Sequence, residues 1–140
     1  MKSIAVAIAA SVLLAAAPSE VDERGLTGRT MLDPPLPAQY APYKFHVTEG
    51  IYAPGGYIGE HRHIGPGVRI VVKGALTFEQ AGKTVVYRQG DVYYESGTDM
   101  YSAFNRTDQP VQVINVEILP KAFTGATIIP AVQPAKQRPP

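Results

Sequence analysis

The residues best suited to chemistry in this chain are two histidines one residue apart, His61 and His63. In a strand, residues two apart share a face, so the two imidazoles point the same way. A neutral imidazole is the commonest metal ligand and titrates near neutral pH. Two imidazoles alone do not complete a metal site. Zinc takes four ligands, or three plus water, and non-haem iron with two histidines still needs a carboxylate. The third-ligand candidates are Tyr101, as a phenolate, and Glu95 or Glu117 reaching in from other strands. Glu60 adjoins His61, so a regular strand sends it to the opposite face. His46 is the one remaining histidine, and the sequence leaves its direction open.

Arg69 offers a different chemistry. If strand alternation runs on from His61 and His63, residues 67, 69 and 71 face the same way. A guanidinium beside two imidazoles repels a divalent cation and holds a carboxylate, sulfate or phosphate in bidentate fashion. Tyr101 would then donate a hydrogen bond to the same ligand, or act as a general acid if a nearby cation lowered its pKa. Against this, the Gly65-Pro66-Gly67 turn is able to reset the register and leave Arg69 in solvent.

The elements that must position these residues are short and β-rich. Runs of strand formers recur from Tyr43 to Leu119: Lys44–Thr48, Gly50–Tyr52, Val68–Lys73, Ala75–Glu79, Lys83–Tyr87, Val92–Glu95, Met100–Phe104 and Val111–Leu119. Ala81-Gly82 and Gln89-Gly90-Asp91 read as turns. No sustained 3.6-residue apolar period occurs after the N-terminal run, so the pattern predicts an all-β sandwich or barrel. Residues 20–42 hold Asp33-Pro-Pro-Leu-Pro37 and Pro42 and read as an irregular extended arm. Residues 121–140 read as a Pro-rich tail, partly disordered.

The spacing of these residues resembles a known family. Gly55, five residues, His61-x-His63, three residues, Gly67, six residues and Gly74 reproduce the first motif of the cupins, with Gly67 where that motif has glutamate. Gly90, five residues, Ser96-Gly97-Thr98, two residues, Tyr101, three residues and Asn105 reproduce the second, with Tyr101 where it has histidine. The resemblance covers about residues 43–119. It implies a small antiparallel jelly-roll β-barrel over 43–120, His61 and His63 pointing into it, and a homodimer formed through edge strands. The N-terminal arm could extend across such an interface. It also implies a divalent metal (Fe, Mn, Zn or Ni) on His61 and His63, while two family ligands are replaced here. Gly67 leaves space that the Arg69 guanidinium could fill. Gly74 and Gly90 suit turns that need positive φ, and Asn105 suits the tie of a turn.

Composition narrows the classes. The 140 residues suit one domain, and 13 basic against 12 acidic residues show no excess for a nucleic-acid backbone. Without cysteine there are no disulfides and no thiolate sites. Lys2, an Ala-rich apolar run from Ile4 and small residues to Ser19 read as a bacterial-type signal peptide over 1–19, too short for a stable membrane span. Periplasmic or secreted localisation follows. Asn105-Arg106-Thr107 matches a glycosylation sequon, read here as chance. Three functions stay open: a metal enzyme of dioxygenase, isomerase or lyase type; a metal-free module for a small anion or sugar acid; and a structural role with a vestigial site.

Overall fold

The computed structural model describes residues 22–131. The stretch read as a signal peptide and residues 132–140 lie outside them. The described chain forms nine strands and one 3₁₀ turn, Ala38–Tyr40: β1 Glu23–Leu32, β2 Tyr43–His63, β3 Gly67–Lys73, β4 Ala75–Gln80, β5 Lys83–Arg88, β6 Val92–Glu95, β7 Tyr101–Phe104, β8 Val111–Pro120 and β9 Ile128–Pro130. Every strand pair is antiparallel, in the order β5-β4-β7-β2-β8-β3-β6, with β1 and β9 also on β2. The result is a nearly closed antiparallel barrel, as the strand pattern predicts.

β2 makes the closure possible. It runs 21 residues and serves both walls. Its first half pairs β8 from Tyr43 to Tyr52. Its second half pairs β7 through Tyr57, Ile58 and His61, and β9 through His61 to His63. The corner between them, Ala53 to Gly56, is tied by Asn105. Its side-chain amide donates to Tyr52 O, Ala53 O and Gln109 O at 2.8–3.1 Å, and its Oδ1 accepts from Thr107. Asn105 is 1% exposed and fully engaged, so the folded chain cannot present it as a glycosylation acceptor. Gly74 and Gly90 have the positive φ expected of them. The two-residue Ala81-Gly82 loop of the β4–β5 hairpin, with both residues at positive φ, matches the twist of its strands.

Two strands fall outside the expected 43–120 span. Residues 23–32, read as irregular, form β1 along the free edge of β2, and 128–130 of the tail form β9. β1 is exposed along almost its whole length. Its residues show no apolar alternation because its pairing is supplied by the β2 backbone rather than by burial. The Pro-rich stretch after β1 is irregular, as expected, with an isolated bridge at Pro35.

The apolar core fills one end of the barrel: Ile58, Val71, Leu76, Phe78, Ala103, Val111 and Val113, closed by Tyr93 and Tyr101. Aromatic stacking knits it, with Phe78 against Tyr101 at 4.5 Å and Tyr87 against Tyr93 at 4.1 Å between centroids.

Candidate functional site

Above this core the barrel encloses a cavity of about 330 Å³. His61, His63, Arg69, Glu95 and Tyr101 line it together, so the fold brings the sequence candidates to one place. The alternation survives the Gly65-Pro66-Gly67 turn: residues 61, 63, 65, 67, 69 and 71 are all buried. Arg69 therefore faces inward and is 1% exposed.

Arg69 occupies the volume beside Gly67. A Cβ built on Gly67 would lie 2.5 Å from Arg69 Nη1, so a side chain there and this guanidinium exclude each other. Arg69 Nη2 stands 2.6 Å from Glu95 Oε2 and 3.5 Å from Glu117 Oε1. His63 donates through Nδ1 to Glu117 Oε1 at 2.8 Å, and its Nε2 is 3.8 Å from Glu95 Oε2. The two carboxylates, the guanidinium and His63 form one buried network. Within it, Arg69 Nη2, Glu95 Oε2 and Glu117 Oε2 have no hydrogen bond of good alignment despite the close ion-pair distance.

Environment sets the charge states. Burial pushes the Glu117 carboxyl up, but the His63 hydrogen bond and the charges of His63 and Arg69 outweigh it, and the group stays below its ordinary value. His61 donates Nδ1–H to Gly59 O at 2.7 Å, and burial takes its pKa down to about 4. It is a neutral imidazole at neutral pH. Burial, then the negative Glu95, raise the Tyr101 phenol well above its ordinary value, and Arg69 opposes this without prevailing. The idea that Arg69 would bring the Tyr101 pKa down is therefore corrected: Arg69 does pull it downward, but burial of the phenol, and then the charge of Glu95, outweigh it. Tyr101 is a protonated phenol, 4.4 Å from the His61 ring and stacked on Phe78.

The donor set does not fit a divalent metal. Glu95 and Glu117, the carboxylates able to join His61 and His63, already pair with Arg69 and His63. At about 4 Å a fixed cation repels each unit of metal charge by ~4 kcal/mol at an effective dielectric near 20. Tyr101 would have to lose a proton that its surroundings hold firmly. Among the described residues, no three His, Cys, Asp or Glu side chains converge in a metal-holding arrangement.

Nor is Arg69 free for a ligand anion. Arg69 is already paired with Glu95 and Glu117, and Arg29, near the cavity edge, is itself paired with Glu49 at 2.6 Å. Of the other candidates, Glu60 is exposed. His46 bonds Asp33 at 3.0 Å beside Lys44, in a separate group. The sequence reading missed Tyr52, Asn115 and Leu26 in the wall. Asn115 was findable, since it alternates with Glu117 on β8. Leu26 was not, because nothing marks β1 as a strand.

The family model described as cupin domain matches residues 48–117. Among curated proteins, none matches the sequence. Solved structures share the fold. A cupin domain from Bordetella pertussis is 23% identical with a TM-score of 0.54, over 68% of this chain and 94% of that one. The polyketide cyclase RemF from Streptomyces resistomycificus is 17% identical with a TM-score of 0.63, over 87% and 80%. KdgF from a Halomonas species is 18% identical with a TM-score of 0.56, over 71% and 86%.

Proposed function

Because this chain belongs to the cupin domain family, whose model spans half of it, we propose that it binds a small molecule in its barrel pocket without a metal, and that the ligand is uncharged and rich in hydroxyl or carbonyl groups. The observation that carries this reading is the buried Arg69 guanidinium, packed beside Gly67 and paired with Glu95 and Glu117. It uses the carboxylates a metal would need, and it has no surplus charge for an anion. What is left in the wall is hydrogen-bonding capacity: Arg69 Nη2 and Glu95 Oε2 lack aligned partners, and Tyr101 is a protonated donor. A ligand hydroxyl both donates to Glu95 and accepts from Arg69, which suits this pair better than a carboxylate does. The tyrosine rings of the wall give an apolar ring face a surface to pack on. The cavity sits at the lower end of the ~300–1,000 Å³ range of small-molecule sites. The basic, apolar and small-residue pattern of residues 1–19 supports a periplasmic or secreted setting for it.

Metal content and ligand response test this reading together. The protein, expressed from its full chain without a histidine tag, is assayed by plasma mass spectrometry beside a His61→Ala/His63→Ala variant. Substoichiometric Fe, Mn, Zn and Ni in both is the expected result. Near-stoichiometric metal in the parent, lost in the variant, overturns the metal-free reading. A thermal-shift screen should show stabilisation by neutral sugars, polyols or cyclic carbonyl compounds, and little by carboxylates, sulfate or phosphate. Glu95→Gln should weaken the best hit at least ~10-fold, about 1.4 kcal/mol. Stabilisation by anions alone would favour an anion-binding module instead.

A further inference from the structure

The two histidines of the pocket are held differently. His61 donates Nδ1–H to the Gly59 carbonyl, a neutral acceptor, and burial keeps the ring uncharged. His63 donates Nδ1–H to Glu117, a carboxylate that is 1% exposed and held ionised. A buried carboxylate on one ring nitrogen orients the imidazole and stabilises the imidazolium formed when the other nitrogen takes a proton.

The other edge of the His63 ring is turned to the cavity. Glu95 and Tyr101 line the cavity with His63, while Glu117 lies behind the wall. His63 Nε2 stands 3.8 Å from Glu95 Oε2, beyond hydrogen-bond reach, which leaves that nitrogen to a ligand. The surrounding network holds two carboxylates, Glu95 and Glu117, against one guanidinium. A proton arriving at His63 completes this charge balance inside a low-dielectric wall, where it counts for more than in water. Glu117 stands outside both spaced motifs, so the dyad is a feature of this chain and not of the motif frame.

Hydrogen-bond donors stand on the same wall. Tyr101 keeps its phenolic proton, and its ring lies parallel to that of His63 with centroids 6.2 Å apart. Arg69 Nη2 lacks an aligned partner, as does Glu95 Oε2 beside it. A base, two donors and a carboxylate oxygen around one cavity are what proton transfer next to a carbonyl group requires.

We propose that the pocket catalyses metal-free enolisation of small neutral α-hydroxy aldehydes and ketones, with His63 as the base and Glu117 as its positioning residue. This rests on the reading that the pocket takes uncharged molecules rich in hydroxyl and carbonyl groups. His63 Nε2 takes the proton from the carbon that bears the hydroxyl group. The electron pair of that C–H bond forms the C=C bond of an enediolate, and the carbonyl π pair moves onto oxygen. Tyr101 O–H and Arg69 donate to that oxygen. Glu95 takes the hydroxyl proton and delivers it to the former carbonyl oxygen. His63 then returns its proton to the former carbonyl carbon, which converts an aldose unit to a ketose unit or the reverse. The two carbons exchange oxidation level, so no oxidant, reductant or other co-reactant is consumed.

Proton NMR in D₂O tests this on the protein expressed from its full chain, with glyceraldehyde, dihydroxyacetone and acetoin as probes. The parent should exchange the α-hydrogen of at least one probe at least ~10-fold faster than buffer, with or without EDTA, and should interconvert glyceraldehyde and dihydroxyacetone. His63→Gln should fall to the buffer rate, and added imidazole should restore part of the exchange to His63→Gly. Glu117→Gln should slow exchange at least ~10-fold while saturation-transfer binding of the probe is unchanged, a split that loosening of the fold does not give. If these variants fail to fold, Tyr101→Phe decides, since it removes one oxygen; it should slow exchange at least ~10-fold, and an unchanged rate overturns the proposal. A probe that binds without exchanging also overturns it and leaves the pocket a binding site. Failure of all three probes to bind removes the underlying reading and this inference with it. Exchange that EDTA abolishes, or that His63→Gln retains, overturns the metal-free dyad.

Discussion

At the scale of single residues, one exchange organises the site. A cupin motif that lacks its glutamate at Gly67 has room for the guanidinium two positions on, and Arg69 takes it. Removing that charge strands Glu95 and Glu117 in a buried wall. Arg69→Met should therefore cost about 3–5 kcal/mol in urea unfolding, the range for breaking a buried ion pair. Arg69→Met/Glu95→Gln should recover a good part of that loss, because it removes an uncompensated charge. A double variant no more stable than the single one would mean that Glu95 does not depend on Arg69. Reversing the exchange is a second prediction. Gly67→Glu alone should destabilise severely, since its Cβ meets Arg69 Nη1 and Val116 O at 2.5 Å. Gly67→Glu/Arg69→Ala/Tyr101→His rebuilds the family donor set and removes the Arg69 contact but not that with Val116 O, so it should stay less stable than the parent in urea unfolding, while gaining back part of the loss of Gly67→Glu alone.

Among the elements, β2 and its corner matter most, because one strand supplies both walls and both histidines. Asn105 holds that corner by donating to three carbonyls from a buried position. Asn105→Ala removes the amide donor from this buried corner and should cost about 2–3 kcal/mol by chemical denaturation. A change under 0.5 kcal/mol would show that water replaces the amide there. β1 acts on the pocket rather than on the core. It contributes Leu26 and Gly28 to the cavity wall, and of its residues only Leu26 packs against the core. Leu26→Asp should weaken ligand binding more than it lowers the melting temperature.

For the molecule as a whole, burial makes stability depend on pH. His61 in the folded state titrates near 4 and in the unfolded chain near 6.5. Above pH 6.5 both states are neutral at this site and it contributes no pH dependence. As pH falls from 6.5 to 4 the unfolded chain takes up the proton first, so stability drops by at most ~1.4 kcal/mol per pH unit and about 3 kcal/mol in all. Glu117 adds to the loss below its ordinary carboxylate range, since its folded pKa is also lowered. His61→Gln should flatten the curve between pH 6.5 and 4.5 and leave the acid limb in place. An unchanged slope in that variant would move the linkage to another group.

Much of this was legible in the chain itself, and the division has a physical origin. Short runs of strand formers between turn residues located six strands from β3 to β8 nearly to the residue, because alternation and turn chemistry are local properties. The two spaced motifs placed His61, His63 and Tyr101 around one interior, because a strand period of two carries direction along the sequence. The sequence could not decide what those groups do to one another. Whether Arg69 faces in depended on a turn whose register only the β3–β8 and β3–β6 pairings settle. Whether it prevails at Tyr101 depended on the burial of the phenol and on Glu95, 26 residues beyond Arg69 in the chain and 2.6 Å away in space. β1 was hidden because backbone pairing to a neighbouring edge leaves no pattern in side chains. Local periodicity determined the barrel; the charge state of its pocket, and therefore its chemistry, belongs to tertiary contacts between strands far apart in sequence.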